Sequence, residues 1–148
     1  MTALARDQIV CAARGWIGTP YRHQASLKGV GCDCIGLVRG LWRELIGPEP
    51  EPMQPYTPDW AEASGVESLI ALGERHFVAA DPAAFAPGDL LVFRFRDNSV
   101  AKHVGVASDA THMIHAQDGA RVAEVPIGAW RRRIVRAFAF PGLTNDRA

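Results

Sequence analysis

The side chains of this 148-residue chain best suited to covalent chemistry are three cysteines (Cys11, Cys32 and Cys34) and five histidines (His23, His76, His103, His112 and His115). A thiol becomes a strong nucleophile once it is ionised or paired with a base. A helix N-terminus and a neighbouring imidazolium both favour the thiolate. Cys34 follows Gly31-Cys32-Asp33 and opens an apolar-periodic run. That position places it on a helix macrodipole, where the thiol pKa is expected to fall, and beside free N–H groups that suit a developing oxyanion. Gly36, two residues on, is expected to keep bulk away from an approaching substrate. Taken alone, a cysteine at a helix start reads first as a small buried packing residue. As a Cys-x-Cys pair, Cys32 and Cys34 would suit a metal only with further ligands and usually a wider spacing, so no metal is expected.

A thiol nucleophile needs a base, and the base needs an orienting partner. His103 begins the run His103-Val104-Gly105-Val106-Ala107, and His115 lies near the end of the run Thr111-His112-Met113-Ile114-His115-Ala116. Ser108-Asp109-Ala110 between them reads as a hairpin turn. A three-residue turn centred on Asp109 sets residue 103 opposite residue 115, on one face and with Cβ atoms about 5 Å apart. A two-residue turn sends them to opposite faces. The three-residue turn is the working expectation, and strand alternation then points His112 to the other face. His23, His76 and His112 read as structural or surface histidines.

These residues need elements to carry them. Residues 2 to 16 predict a helix capped by Thr2, with Ala5, Ile9, Ala12 and Trp16 as its stripe and Cys11 as a packing or surface thiol. Residues 17 to 33 read as loop. Leu37, Leu41 and Leu45 predict a second helix from Cys34 to Ile46, stopped by Gly47-Pro48. A proline-rich stiff loop follows over 47–60, and its Tyr56 and Trp60 are candidates for docking or for the substrate rim. A third helix is expected from about Val66 to Phe77. After Pro87-Gly88 come five β-rich runs, at 89–95, 102–107, 111–116, 121–125 and 134–140. Helices first and antiparallel strands after them predict an α+β fold.

Bulk properties exclude several function classes. The chain has 16 basic and 16 acidic residues. A zero net charge gives no general reason to expect nucleic acid or an anionic membrane as partner. Arg131-Arg132-Arg133 is too narrow for a nucleic-acid footprint and reads as a solvated strand edge. No signal peptide and no membrane-length apolar run is visible. An odd cysteine count in such a chain argues against a disulfide framework. The length favours one domain over residues 1–148.

Five blocks then occur in a telling order: Gly18-Thr19-Pro20-Tyr21, Gly31-Cys32-Asp33-Cys34-Ile35-Gly36-Leu37-Val38, Pro87-Gly88-Asp89-Leu90, His103-Val104-Gly105-Val106 and Ile114-His115-Ala116. Together they resemble the NlpC family of papain-like cell-wall peptidases, over about residues 5 to 140. The resemblance implies a papain-like fold with N-terminal helices packed on a C-terminal antiparallel sheet. It implies an endopeptidase acting on peptidoglycan stem peptides, commonly at the γ-D-glutamyl–diaminopimelate bond, with no cofactor. By position, Cys34 matches the nucleophile, His103 the base and His115 the third polar residue. Tyr21 matches a tyrosine that aids substrate or oxyanion binding, and Asp33 an acidic residue that helps hold a substrate amino group. Ile35 stands where the family usually has serine, and the usual Gly-Gly after the Pro-Tyr block is missing. Both departures bear on peptide specificity.

The short form looks most like the peptidases of phage tails and gene transfer agents. That resemblance implies synthesis in the bacterial cytoplasm, a tail hub or baseplate protein as partner, and action in the periplasm of a target cell. The thiol and imidazole can rest neutral or as an ion pair. A tail protein that keeps the fold but is catalytically weak, or an acyltransferase with the same apparatus, are the competing readings.

Overall fold

The computed structural model describes residues 3–52, 68–96 and 99–143. Thr2 and the loop residues Tyr56 and Trp60 lie outside them. Helix α1 spans Arg6–Arg14 and is shorter at both ends than the sequence predicts. It starts at Ala5, whose N–H donates to Gln8 Oε1 at 2.7 Å, so a glutamine side chain reaching back does the work expected of a cap hydroxyl. Helix α2 spans Cys34–Leu45, close to expectation, and α3 spans Ser68–His76. Among the described residues no helix is long and apolar enough to cross a membrane.

A two-stranded hairpin, β1 (Ser26–Leu27) with β2 (Gly31–Cys32), delivers the chain to the start of α2. Its strands are too short to show a period in the sequence. The main sheet contains β3 (Val78–Ala80), β4 (Leu90–Phe93), β5 (His103–Ala107), β6 (His112–His115), β7 (Ala123–Pro126) and β8 (Ile134–Ala139). Its order is β3-β8-β4-β5-β6-β7, and every neighbouring pair is antiparallel. This is the α+β architecture the sequence predicts, with β3 as an added edge.

Strand alternation divides the core. Leu90, Val92, Val104, Val106 and Ile114 meet Ile9, Leu37 and Leu41 from the helices and Trp16 from the turn after α1. Leu91, Phe93, Ala107, Met113 and Ala137 face the other way and close around Ile127. A buried ion pair ties α1 to the sheet: Arg6 Nη1 lies 2.7 Å from Asp89 Oδ1.

Arg131–Arg133 are not a strand edge. They end a short 3-10 helix, Gly128–Arg133, between β7 and β8. The Ile127 N–H donates to the Thr111 carbonyl (2.8 Å) and the Trp130 N–H to the Ile127 carbonyl (2.9 Å), which curls the chain before it can extend.

Candidate active site

The site is built where the N-terminus of α2 meets the start of β5. Asp33 is the N-cap of α2. Its Oδ1 accepts the Gly36 N–H and its Oδ2 the Gln24 N–H, each at 2.7 Å. Asp33 is 2% exposed and both its oxygens accept backbone N–H groups, the geometry of a helix cap. Gly36 does not open a substrate path. A Cβ there would lie 1.9 Å from the Ala25 carbonyl oxygen, so glycine lets the preceding loop close on the helix. Ile35 is 3% exposed and lines an apolar cleft between α2 and α3 with Val38, Trp42, Leu72 and Phe77.

Cys34 Sγ lies 3.9 Å from the Lys102 carbonyl oxygen. The N–H groups of Val104, Ile35 and Cys34 itself face the sulfur and favour its anion. The thiol therefore touches the backbone on both sides of His103. Burial nevertheless pushes the thiol up to about 12, with the Asp33 charge acting in the same direction. The lowered pKa expected from the helix start is reversed, because desolvation and an adjacent carboxylate outweigh the N–H groups. Burial, and then Asp33, also push Cys32 up to about 12, and Cys32 is fully enclosed beneath the loop. Cys11 is exposed on α1.

The two histidines meet. His103 Nε2 and His115 Nδ1 are 2.8 Å apart, and each residue is 4% exposed. The register that joins them differs from the expected one. Val106 pairs with Ile114 and Ala107 with Met113, and Ser108 donates to the His112 carbonyl at 3.0 Å. The turn is centred on Ala110, because Asp109 Oδ1 accepts the Thr111 N–H at 2.8 Å and fixes the bend one residue later. Continuing that register sets Gly105, not His103, opposite His115. A shift of two in the pairing sum keeps the faces, so the imidazoles meet on the diagonal. Glycine at 105 leaves room for this, since a Cβ there would come 3.3 Å from His115 Cβ.

Burial pulls His103 down to about 3, with His115 adding to the effect, and burial lowers His115 as well. Both rest neutral at neutral pH. Tyr21 is half-buried, and its phenol is pushed upward by burial and then by the Cys34 and Asp33 charges, so it stays a hydrogen-bond donor. The remaining histidines lie against other carboxylates: His23 near Asp33 at the site (3.8 Å), His76 on Glu51 (3.1 Å) and His112 on Asp109 (3.1 Å). Among the described residues no group of three or more His, Cys, Asp or Glu is placed to hold a metal ion.

Sequence reasoning missed Trp130. Its ring centroid lies 5.3 Å from that of His103 and 5.6 Å from that of His115. A lone tryptophan in a segment with neither a helical nor a strand period gives no signal of its own.

The profile of the NlpC/P60 family matches residues 18–139, most of the chain. The chain belongs to the NlpC/P60 family. It is similar to gamma-DL-glutamyl hydrolase of Bacillus subtilis (strain 168), with 26% identity over 144 residues, covering 96% of this chain and 31% of that protein. The chain thus spans under a third of that curated relative's length. Among solved structures it resembles an NlpC/P60 family protein from Bacillus cereus ATCC 10987 (TM-score 0.67, 20% identity, 94% of this chain and 41% of the other). It also resembles the NlpC/p60 domain of peptidoglycan hydrolase SagA (TM-score 0.64, 21% identity, 93% of this chain and 100% of the other). NlpC1 from Trichomonas vaginalis is a third (TM-score 0.61, 19% identity, 91% of this chain and 43% of the other). These structural likenesses establish the papain-like α+β fold of the family.

Proposed function

We propose that the chain is a cysteine endopeptidase that hydrolyses peptidoglycan stem peptides at the γ-D-glutamyl–diaminopimelate bond. The observation that carries this reading is a thiol set against the backbone that flanks a paired imidazole. Cys34 opens α2 and touches the backbone flanking His103, and the His103 ring is hydrogen-bonded to His115. Family membership and the likeness to a gamma-DL-glutamyl hydrolase support the substrate class.

The chemistry is acyl transfer to water. His103 Nε2 faces His115, which leaves Nδ1 to take the Cys34 proton. Because burial holds both groups neutral at rest, the proton passes as sulfur attacks the amide carbonyl, and the two new charges offset one another. N–H groups at the start of α2, with the Tyr21 phenol, stabilise the oxyanion. The C–N bond breaks as His103 returns its proton to the departing amine, leaving a thioester on Cys34. Water, deprotonated by His103, then releases the acid and restores the thiol. Asp33 holds the helix start, with its two carboxylate oxygens accepting the Gly36 and Gln24 N–H groups. No cofactor takes part.

We further propose, from the likeness of the Tyr21-Arg22-His23-Gln24-Ala25-Ser26 segment to phage-tail peptidases, delivery on a phage-like tail or gene-transfer-agent particle. A tail hub or baseplate protein would be its carrier, and the enzyme would act in the periplasm of the target cell. Incubating purified muropeptides with the parent and with Cys34→Ala tests the activity. Mass spectrometry should find new diaminopimelate N-termini with the parent and none with the variant, while circular dichroism shows both folded. Undiminished cleavage by Cys34→Ala sinks the proposal.

A further inference from the structure

Five rings gather around the base. Phe93 and Phe95 come from β4 and its continuation, His103 from β5, His115 from β6 and Trp130 from the 3-10 helix. Trp130 touches the other four, with centroid distances of 5.3 Å to Phe93, 5.9 Å to Phe95, 5.3 Å to His103 and 5.6 Å to His115. Its plane is inclined only 31° to that of His103 but 82° to that of His115. One imidazole thus meets the π face of the indole and the other meets it edge-on. Phe95 also stacks on His103, at 5.8 Å and 29°.

The segment that carries Trp130 is pinned at three points. The Ile127 N–H donates to the Thr111 carbonyl at 2.8 Å, Arg131 Nη2 to the Ala110 carbonyl at 2.7 Å, and the Arg94 N–H to the Arg133 carbonyl at 3.0 Å. Two of these acceptors lie in the turn that sets the register of His103 against His115. The same short helix therefore grips the hairpin tip and covers the imidazole pair.

We propose that Trp130 is a positioning residue, acting through His103: it holds the His103–His115 pair in its productive geometry and stabilises the positive charge that His103 takes up with the thiol proton. This rests on the peptidase reading above. The physical need follows from the partner at His103 Nε2. An imidazole there orients the ring but supplies no full negative charge to offset an imidazolium. A cation held against an indole face is attracted by the ring quadrupole, and more strongly when both are shielded from water. The interaction is stronger in the charged transition state than in the neutral resting state, so it acts on kcat rather than on substrate binding.

The test compares the parent with Trp130→Leu and Trp130→Phe, all as full chains, on one stem-peptide substrate. The leucine variant should lose about tenfold in kcat with KM within about twofold of the parent, and phenylalanine should recover about half of that loss on a logarithmic scale, to about threefold below the parent. A folded leucine variant with unchanged kcat, or with a change confined to KM, overturns the proposal. If the leucine variant does not fold, the phenylalanine variant decides: a kcat about threefold lower at constant KM supports the role, and an unchanged kcat or a KM-only effect overturns it. Cleavage that survives Cys34→Ala would instead refute the underlying peptidase assignment, and that arm is read on the parent background alone.

Discussion

Replacing His115 by alanine should slow the proposed hydrolysis without abolishing it, and the structure gives the size of the effect. For His103 to accept a proton at Nδ1, its Nε2 must already carry one. Nε2 then donates across 2.8 Å to Nδ1 of His115, which holds its own proton on Nε2; this tautomer pair is assigned from the chemistry. Both side chains are buried, so alanine leaves the His103 N–H facing a space where water enters with difficulty. An unsatisfied buried donor costs about 1–3 kcal/mol, and a bond to a group that becomes charged lies at the upper end. If most of that falls on the imidazolium-forming step, kcat drops by roughly 10- to 100-fold, with KM little changed. His103→Ala removes the proton acceptor itself and should cost roughly 10²- to 10⁴-fold. Initial rates on a defined stem peptide, quantified as released amine, measure both. His115→Gln, which can again accept from Nε2, should recover part of the loss. A folded His115→Ala variant within twofold of the parent, or slower than His103→Ala, would refute the reasoning.

Two further outcomes follow from the same geometry. Burial holds His103 well below its ordinary value, to about 3, so the unfolded chain takes up protons first as pH falls below about 6.5. Stability is full above that pH and declines towards acid, by on the order of 2 kcal/mol at pH 5 from His103 alone, with His115 acting in the same direction. Urea midpoints at pH 7.5 and pH 5 should differ accordingly and His103→Gln should narrow the gap; equal midpoints in the parent would contradict this. Gly36→Ala drives a Cβ to within 1.9 Å of the Ala25 carbonyl oxygen, a backbone atom. It should destabilise by about 2 kcal/mol or more, visible in thermal unfolding, and an unshifted melting curve would show that the loop yields freely.

The sequence alone determined the elements that carry the chemistry. The four-residue spacing of Leu37, Leu41 and Leu45 locates α2 to within a residue, because burial of one helical face is a local pattern. His103 and His115 were matched to one face for a similar reason: parity survives any even shift of register. Tertiary structure decided the rest. The turn bends at Ala110 because the Asp109 side chain captures the Thr111 N–H, a choice that spacing does not reveal. The resting charges of Cys34 and His103 depend on how deeply the fold buries them and on the Asp33 carboxylate beside the thiol, so the helix-start argument alone gave the wrong sign for the thiol. Trp130 reaches the imidazoles from a segment with no periodicity, carried there by hydrogen bonds to a turn in a different part of the chain. Local pattern names the proposed nucleophile and its proposed base; only packing sets the protonation state in which they wait and brings the indole against the imidazoles.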